Sequence, residues 1–303
     1  MPTARPAYLR LLAEGGFAQR VEEARALLGA CEVCPRRCRV NRLQGELGEC
    51  RTGARARVGS VHAHFGEEPP LVGAGGSGTI FFSYCNLHCQ FCQNFELSAL
   101  GEGEEVSPDR LARSMLALQE RGCHNINFVS PSHVVPQMLQ AVYLAAEQGL
   151  RVPLVYNTGG YDRVETLALL DSVVDIYMPD MKYADAAVAE KYSKAPDYPR
   201  CNRAAVKEMH RQVGGLKTGP DGVAERGLLV RHLVLPEGLA GSVEVARFLA
   251  EEISPETYVN VMDQYRPCFR VQATPPLDRR ITPQEYAAAR EAFRSAGLHR
   301  FAD

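Results

Sequence analysis

No stretch of the 303-residue chain carries the roughly 18 consecutive apolar residues of a membrane-spanning helix, so no membrane span is expected. Neither sign of charge dominates: 34 Lys and Arg stand against 36 Asp and Glu, a net charge of −2. That balance provides no basic field for nucleic acid and no acidic tail. The opening stretch, residues 1–16, lacks the apolar core and small-residue cleavage site of a secretory signal, so a cytoplasmic protein is expected. Repeats with a period of roughly 20 to 50 residues are missing, and so are low-complexity tracts. Tryptophan is absent altogether, which excludes nothing. What is present is a globular composition, 46% apolar and 23% charged, together with ten cysteines. In a reducing compartment that many thiols point to metal or redox chemistry rather than to disulfides.

The cysteines are grouped. Cys31, Cys34, Cys38 and Cys50 form one set and Cys85, Cys89 and Cys92 a second, while Cys123, Cys201 and Cys268 are isolated. The isolated ones read as small buried hydrophobes. Of these, Cys268 lies in a loop expected to come nearest the site.

Residues 1–30 read as helical, with Val21, Ala24, Leu27 and Leu28 on one face. Residues 31–57 are rich in cysteine and arginine, and residues 58–77 read as irregular and glycine-rich. From residue 78 onward short apolar runs at 79–84, 125–129, 153–157, 173–178, 227–235 and 258–262 read as six strands separated by helical stretches. Ser107 is a natural N-cap, and Thr282-Pro283-x-Glu285 is a capping box opening a last helix. Six strands alternating with helices imply parallel βαβ units, either an open (β/α)6 barrel or a doubly wound sheet. In both, chemistry belongs at the carboxyl ends of the strands. The expected organisation is a cysteine-bearing extension over residues 1–75 and a core over residues 76–303.

Directly after the first strand of that core runs Cys85-Asn-Leu-His-Cys89-Gln-Phe-Cys92. Three thiolates at this spacing suit a cubane [4Fe–4S] cluster whose fourth iron has no protein ligand and is open to a chelating molecule. The alternative, zinc with His88 as fourth ligand, requires His88 to turn inward across a short loop. Cys31-x2-Cys34-x3-Cys38-x11-Cys50 is a four-thiolate set, with seven arginines and three glutamates between residues 31 and 57. It fits a fully ligated [4Fe–4S] cluster or a zinc ion, and the residues leave an unliganded or disulfide state open as well. His62 and His64 beside it read as a packing pair. Gly73-x-Gly75-x-x-Gly78 has the letters of a dinucleotide fingerprint but precedes a strand instead of following one, so its glycines read as close-packing positions. The glycine-rich loop 213–227 reads as a lid or a long crossover.

The Cys-x3-Cys-x2-Cys spacing with Phe91 before the last cysteine resembles the motif of radical S-adenosylmethionine (SAM) enzymes. The strings HFGEEPPL (64–71), HNINFVSPSH (124–133), YNTGGYD (156–162), DIYMPDMKY (175–183) and QYRP (264–267) resemble a branch related to the pyruvate formate-lyase activating enzyme. The resemblance covers nearly the whole chain. It implies a partial TIM barrel of the radical SAM type, (β/α)6 and open, with a Cys-rich N-terminal extension. It implies reductive cleavage of SAM at a [4Fe–4S] cluster held by Cys85, Cys89 and Cys92, and hydrogen abstraction by the resulting 5′-deoxyadenosyl radical. A glycyl residue of a partner enzyme is the substrate activating enzymes use. A small molecule or another protein side chain is the alternative, and an iron–sulfur electron carrier or zinc-stabilised binding protein without SAM turnover is a reading from another class. A flavodoxin- or ferredoxin-type electron donor is implied. Phe91 is expected near the adenine. Where most of the superfamily has a Gly-Gly-Glu-Pro-like string, this chain has Ser130 and Ser132, which can accept a bond from the SAM ammonium but supply no carboxylate. Asn157, Thr158, Met178 and Asp180 match positions that bind SAM and a monovalent cation, and Lys182 completes an Asp-x-Lys string. Arg231 interrupts an apolar strand and is expected to face the cavity and meet the SAM carboxylate, with His232 on the opposite face. His133, Gln264 and Tyr265 are expected near the substrate cavity.

Overall fold

The structure is a computed structural model and describes residues 5–302. Two short helices open it, α1 (Tyr8–Ala13) and α2 (Phe17–Ala26), where one helix was expected. Gly15, with φ +76°, breaks the run between them. The cysteine-rich loop leads to β1 (Ala56–His64), a one-turn helix α3 (Pro69–Val72) and β2 (Ser77–Phe82). Then follow α4 (Phe95–Ser98), β3 (Glu104–Val106), α5 (Pro108–Glu120), β4 (Ile126–Val129), α6 (Val135–Glu147), β5 (Leu154–Thr158), α7 (Val164–Ala168) and β6 (Ile176–Pro179). The chain closes with α8 (Ala186–Ser193), α9 (Tyr198–Val213), β7 (Lys217–Thr218), β8 (Ala224–Leu233), α10 (Ser242–Phe248), β9 (Tyr258–Met262), α11 (Pro283–Ser295) and β10 (Arg300–Phe301).

The six expected strands are neighbours in one parallel array, β2-β4-β5-β6-β8-β9. Their order never reverses. Right-handed crossovers therefore place the crossover helices α5, α6, α7, α9 and α10 on one face, which is the winding of a barrel and not of a doubly wound sheet. The array stays open, with β10 beyond β9 at one end and antiparallel β1 and β3 at the other. Strand alternation sorts the core. Ile126, Phe128, Tyr156, Tyr177, Leu228 and Val230 face the helices and pack with Leu111, Met115, Met138 and Val142. Val155, Ile176, Met178 and Leu229 face the lumen, where Leu71 of α3 closes the floor from the amino ends of the strands. The same inward parity carries Asn157, Asp180 and Arg231 to the upper lumen. The capping box read from sequence forms as expected: Thr282 Oγ1 accepts from the Glu285 amide at 3.1 Å, and the Glu285 side chain accepts from the Thr282 amide at 2.7 Å.

Two regions differ from expectation. Residues 58–64 are not irregular, because they belong to β1, which pairs with β2 over most of its length; between the two strands the chain is irregular apart from α3. The 75/76 boundary thus falls between two hydrogen-bonded strands of one sheet. Loop 213–227 is not a lid: it is the last part of the long β6–β8 crossover, folded back as the β7–β8 hairpin at the amino end of β8. The Gly73–Gly78 stretch is a close-packing segment. A Cβ on Gly75 would lie 2.0 Å from the Gly122 carbonyl oxygen, and one on Gly78 would lie 2.6 Å from that of Asn125. Gly75→Ala is therefore expected to destabilise the fold by about 1–3 kcal/mol, as overpacking against rigid backbone does. Chemical denaturation checks this; an unchanged midpoint would contradict it.

Candidate radical site at the carboxyl ends of the strands

The loop after β2 carries Cys85, Cys89 and Cys92 over the mouth of the barrel, and neighbouring backbone fixes its path. The His88 amide donates to the Ser193 carbonyl at 3.2 Å and the Gln90 amide to that of Tyr192 at 2.8 Å. Asn86 Nδ2 donates to the Tyr161 carbonyl at 2.7 Å. Each sulfur meets a donor: the Leu87 amide at 3.4 Å from Cys85 Sγ, Ser193 Oγ at 3.0 Å from Cys89 Sγ, and Ser98 Oγ at 3.1 Å from Cys92 Sγ. Burial, and then each other's charge, push the Cys85 thiol up to about 12, and burial raises Cys89 as well. Three thiolates crowded here need a cationic partner. His88 does not turn inward. Its Nε2 meets the Glu49 carboxylate at 3.0 Å, which removes it as a fourth ligand in this arrangement.

The three cysteines and Phe91 line a cavity of about 240 Å³ together with Ser130, Asn157, Thr158, Asp180, Lys182, Arg231 and Gln264. Residues from six strand ends, spread over 180 positions of sequence, thus meet at one place, as this fold requires. Its polar wall is an ion-paired cluster. Lys182 Nζ lies 2.5 Å from Asp180 Oδ2, Arg231 Nε donates to Asp180 Oδ1 at 2.8 Å, and Arg231 Nη2 donates to Asn157 Oδ1 at 2.8 Å. Burial opposes ionisation of Asp180, but Arg231 and Lys182 overcome it and hold the carboxyl below its usual range. Tyr198 braces the loop after β6: its hydroxyl accepts from the Lys182 amide at 3.0 Å and donates to the Asp180 and Gly159 carbonyls.

Two carboxylates here were missed from sequence. Glu67 and Glu68, ahead of α3, enter the lumen from below and stand 4.0 and 3.8 Å from Arg231 Nη1. Asn260 of β9 donates to Glu68 at 3.0 Å. The Gly-Glu-Glu-Pro-Pro string was the available signal; only its position inside the barrel gives the carboxylates a partner. Arg231 is thus already paired on every nitrogen side, with protein groups.

Other expected residues sit elsewhere. Ser132 lies behind the cavity wall, its Oγ 2.8 Å from Thr158 Oγ1, in a buried network that continues to Asp162. Tyr265 is buried against Phe91, ring centroids 5.9 Å apart, and donates to the Leu277 carbonyl at 2.6 Å. His133 is buried behind the N-terminal cysteines, with Nε2 3.1 Å from the Ser83 carbonyl, and not at the substrate cavity. Cys268 does reach the site region: its Sγ lies 3.2 and 3.3 Å from the Phe91 and Cys92 carbonyls.

His232 faces the helices as strand parity requires. Its ring nitrogens meet the Met181 carbonyl at 2.8 Å and Ser242 Oγ at 2.9 Å. Burial holds it neutral and lowers its pKa to about 4. The unfolded chain, titrating near 6.5, binds the proton first. Folding stability is therefore expected to be full above pH ~6.5 and to fall by about 3 kcal/mol as the pH drops toward 4. Unfolding curves across that range, compared with His232→Gln, check the slope; equal slopes would contradict it.

A model described as the radical SAM superfamily matches residues 79–214, from β2 through α9. An uncharacterized protein of Methanocaldococcus jannaschii is 30% identical over 280 residues, covering 90% of this chain and 76% of that protein. The chain belongs to the radical SAM superfamily. Among solved structures, a radical SAM methyltransferase from Sphaerobacter thermophilus aligns at 16% identity and TM-score 0.47, and HydG, a maturase of the [FeFe]-hydrogenase, at 14% and 0.47. Each alignment covers 74% of this chain, but the chain spans only 66% and 50% of those two chains.

Radical SAM chemistry brings a [4Fe–4S] cluster and SAM. The donor set fits the cluster: three sulfurs on one loop, each with its own hydrogen-bond donor, opening on one cavity beside the Lys182 cation. Among the described residues, no helix is long and apolar enough to cross a membrane.

Proposed function

We propose that this protein is an activating-enzyme-like radical SAM enzyme that takes a hydrogen atom from its substrate. The observation that carries the reading is the single cavity shared by Cys85, Cys89, Cys92 and the Asn157–Asp180–Lys182–Arg231 cluster. With cluster and SAM bound, the site supplies a 5′-deoxyadenosyl radical. The chain's own part is to hold and shield these groups. Cys85, Cys89 and Cys92 would hold the cluster through three thiolates, which would leave SAM a place to bind it. Ser130 and Asn157 offer oxygens to its ammonium, Lys182 supplies positive charge for its carboxylate, Arg231 holds Asn157 and Asp180 in place, and Phe91 gives the adenine an apolar face. Asp180 fixes both cations in place. The resemblance also implies a monovalent cation at Asn157, Thr158, the Met178 backbone and Asp180; here the Asn157 and Asp180 side-chain oxygens answer Arg231 and Lys182 instead. The electron comes from a flavodoxin- or ferredoxin-type donor, and a cytoplasmic setting keeps the ten thiols reduced.

The substrate by this reading is a glycyl residue of a partner enzyme. A small anionic molecule is the second reading. It is favoured by a 380 Å³ cavity beside Cys85 and Cys89 that is lined by Arg51, Lys194 and Arg270. Anaerobic reconstitution, reduction and assay for 5′-deoxyadenosine tests the enzyme reading. Product is expected; its absence with active reductant would leave an electron carrier or binding protein. A glycyl-radical EPR signal on a co-purifying protein supports the first substrate, and its absence alongside steady SAM cleavage supports the second.

A further inference from the structure

Cys31, Cys34, Cys38 and Cys50 gather around a void of about 10 Å³, the room of one water-sized sphere. A far larger space lies beside them. The 380 Å³ cavity that Cys50 shares with Cys85 and Cys89 is walled by residues 48–51, 84–89, 98–99 and 269–270 and by Lys194. No strand residue lines it, so it lies outside the lumen, with the catalytic cysteine loop as the wall between it and the inner cavity.

The backbone is strained toward this cavity. Nine non-glycine residues have a left-handed φ among the described residues, and four of them line it: Arg51 at 49°, Tyr84 at 64°, Lys194 at 51° and Phe269 at 55°. Lys194 takes its angle in ending α8, whereas the other three stand in loops. Such angles are costly for residues with side chains and persist where the surroundings dictate them, most often at active sites and ligand clamps.

The charge around the cavity is one-sided. Arg51, Lys194 and Arg270 line it from three separate segments, and all three are exposed. Among the described residues none of them pairs with a carboxylate. Glu49 is the one carboxylate in the wall, and His88 meets it at 3.0 Å. Burial lowers the His88 pKa, so the ring adds no charge at neutral pH. Three cations against one carboxylate leave two positive charges unanswered. The catalytic thiols do not call for them, because the cation that favours ionised Cys85 and Cys89 is Lys182, from the lumen side.

Arg270 is also oriented. Its guanidinium lies 4.9 Å from the Phe269 ring centre, and Phe269 is itself stacked on Phe95 at 5.0 Å. The Arg270 amide donates to the Gln90 carbonyl at 2.9 Å, which ties this segment to the cysteine loop. A guanidinium held on an aromatic face keeps its planar fork ready for an anion.

We propose that this cavity binds a small organic dianion, a dicarboxylate or a phosphate monoester, through Arg51, Lys194 and Arg270. Its volume suits such a ligand, and its Cys85–Cys89 wall sets the ligand against the radical site. This rests on the small-molecule reading of the substrate and narrows it to a doubly charged one.

Isothermal titration tests the site on the full-length chain, reconstituted anaerobically and free of SAM and reductant. The probes are succinate and glycerol 3-phosphate at constant ionic strength, with acetate as the singly charged control. At least one dianion is expected to bind at a single site and more tightly than acetate. Succinate binding points to a dicarboxylate, glycerol 3-phosphate binding to a phosphate monoester. Arg51→Gln/Arg270→Gln is expected to weaken that binding at least about tenfold, as the loss of a charged hydrogen bond does. Both residues are exposed, so the variant is expected to unfold at the wild-type midpoint; should it misfold, Lys194→Gln replaces it. Dianions that bind no better than acetate would overturn the proposal, as would binding that the variant leaves unchanged. SAM cleavage enters none of these readouts. A glycyl radical on a partner protein would remove the small-molecule substrate reading and leave the binding result standing.

Discussion

Cys89→Ala is expected to reduce 5′-deoxyadenosine formation to the level of protein-free controls. Cys89 is the middle of three thiols on the loop after β2, with Ser193 donating to its sulfur at 3.0 Å and the Lys182 cation near enough to favour its ionised form. A cubane with one iron open to SAM needs three protein thiolates, and no other side chain on this loop can substitute: His88 is turned out to Glu49. Cys268 is near, but its sulfur is directed at the Phe91 and Cys92 carbonyls. Mass spectrometry of the reaction mixture reads the product directly. Product at wild-type level would mean that the cluster is held elsewhere. Ser193→Ala, which removes only the donor to that sulfur, is expected to retain iron and turnover at a reduced rate.

Asp180→Ala is expected to destabilise the protein by about 3–5 kcal/mol, the range seen when one member of a buried ion pair is removed. Asp180 is enclosed and answers two cations, Lys182 at 2.5 Å and Arg231 at 2.8 Å. Glu67 and Glu68 are farther from Arg231, at 4.0 and 3.8 Å, and reach only one of its nitrogens. The pH dependence follows from the depressed carboxyl. Its contribution is full above the unfolded value near 3.9 and is lost as the pH falls through the lower folded value. Denaturant unfolding at neutral pH measures the loss. A variant as stable as wild type would show that the two glutamates alone can hold Arg231 and that Lys182 finds water.

Much of this architecture is legible in the residues. Short apolar runs bounded by turns marked the six parallel strands, and β9 lies at the expected residues. Parity along β8 was enough to send Arg231 inward and His232 outward. What could not be read depends on distant partners. β1 is half-exposed along most of its length, so its polar residues hide the strand until β2 pairs with it. Glu67 and Glu68 look like surface charges until Leu71 draws α3 into the barrel floor. His133 and Tyr265 follow strands directly, the position of cavity residues in this fold, but local packing turns both into the interior. Arg231 illustrates both sides: its direction is local, whereas its partners Asp180 and Glu68 lie 51 and 163 residues earlier in the chain.

The central claim is that SAM binds the open iron of a cluster held by Cys85, Cys89 and Cys92. EPR of the reduced, reconstituted protein before and after SAM addition tests it most directly. The account predicts that SAM changes the spectrum of one cluster in wild type and that the change is absent from the Cys85→Ser/Cys89→Ser/Cys92→Ser variant. A wild-type spectrum indifferent to SAM would contradict it.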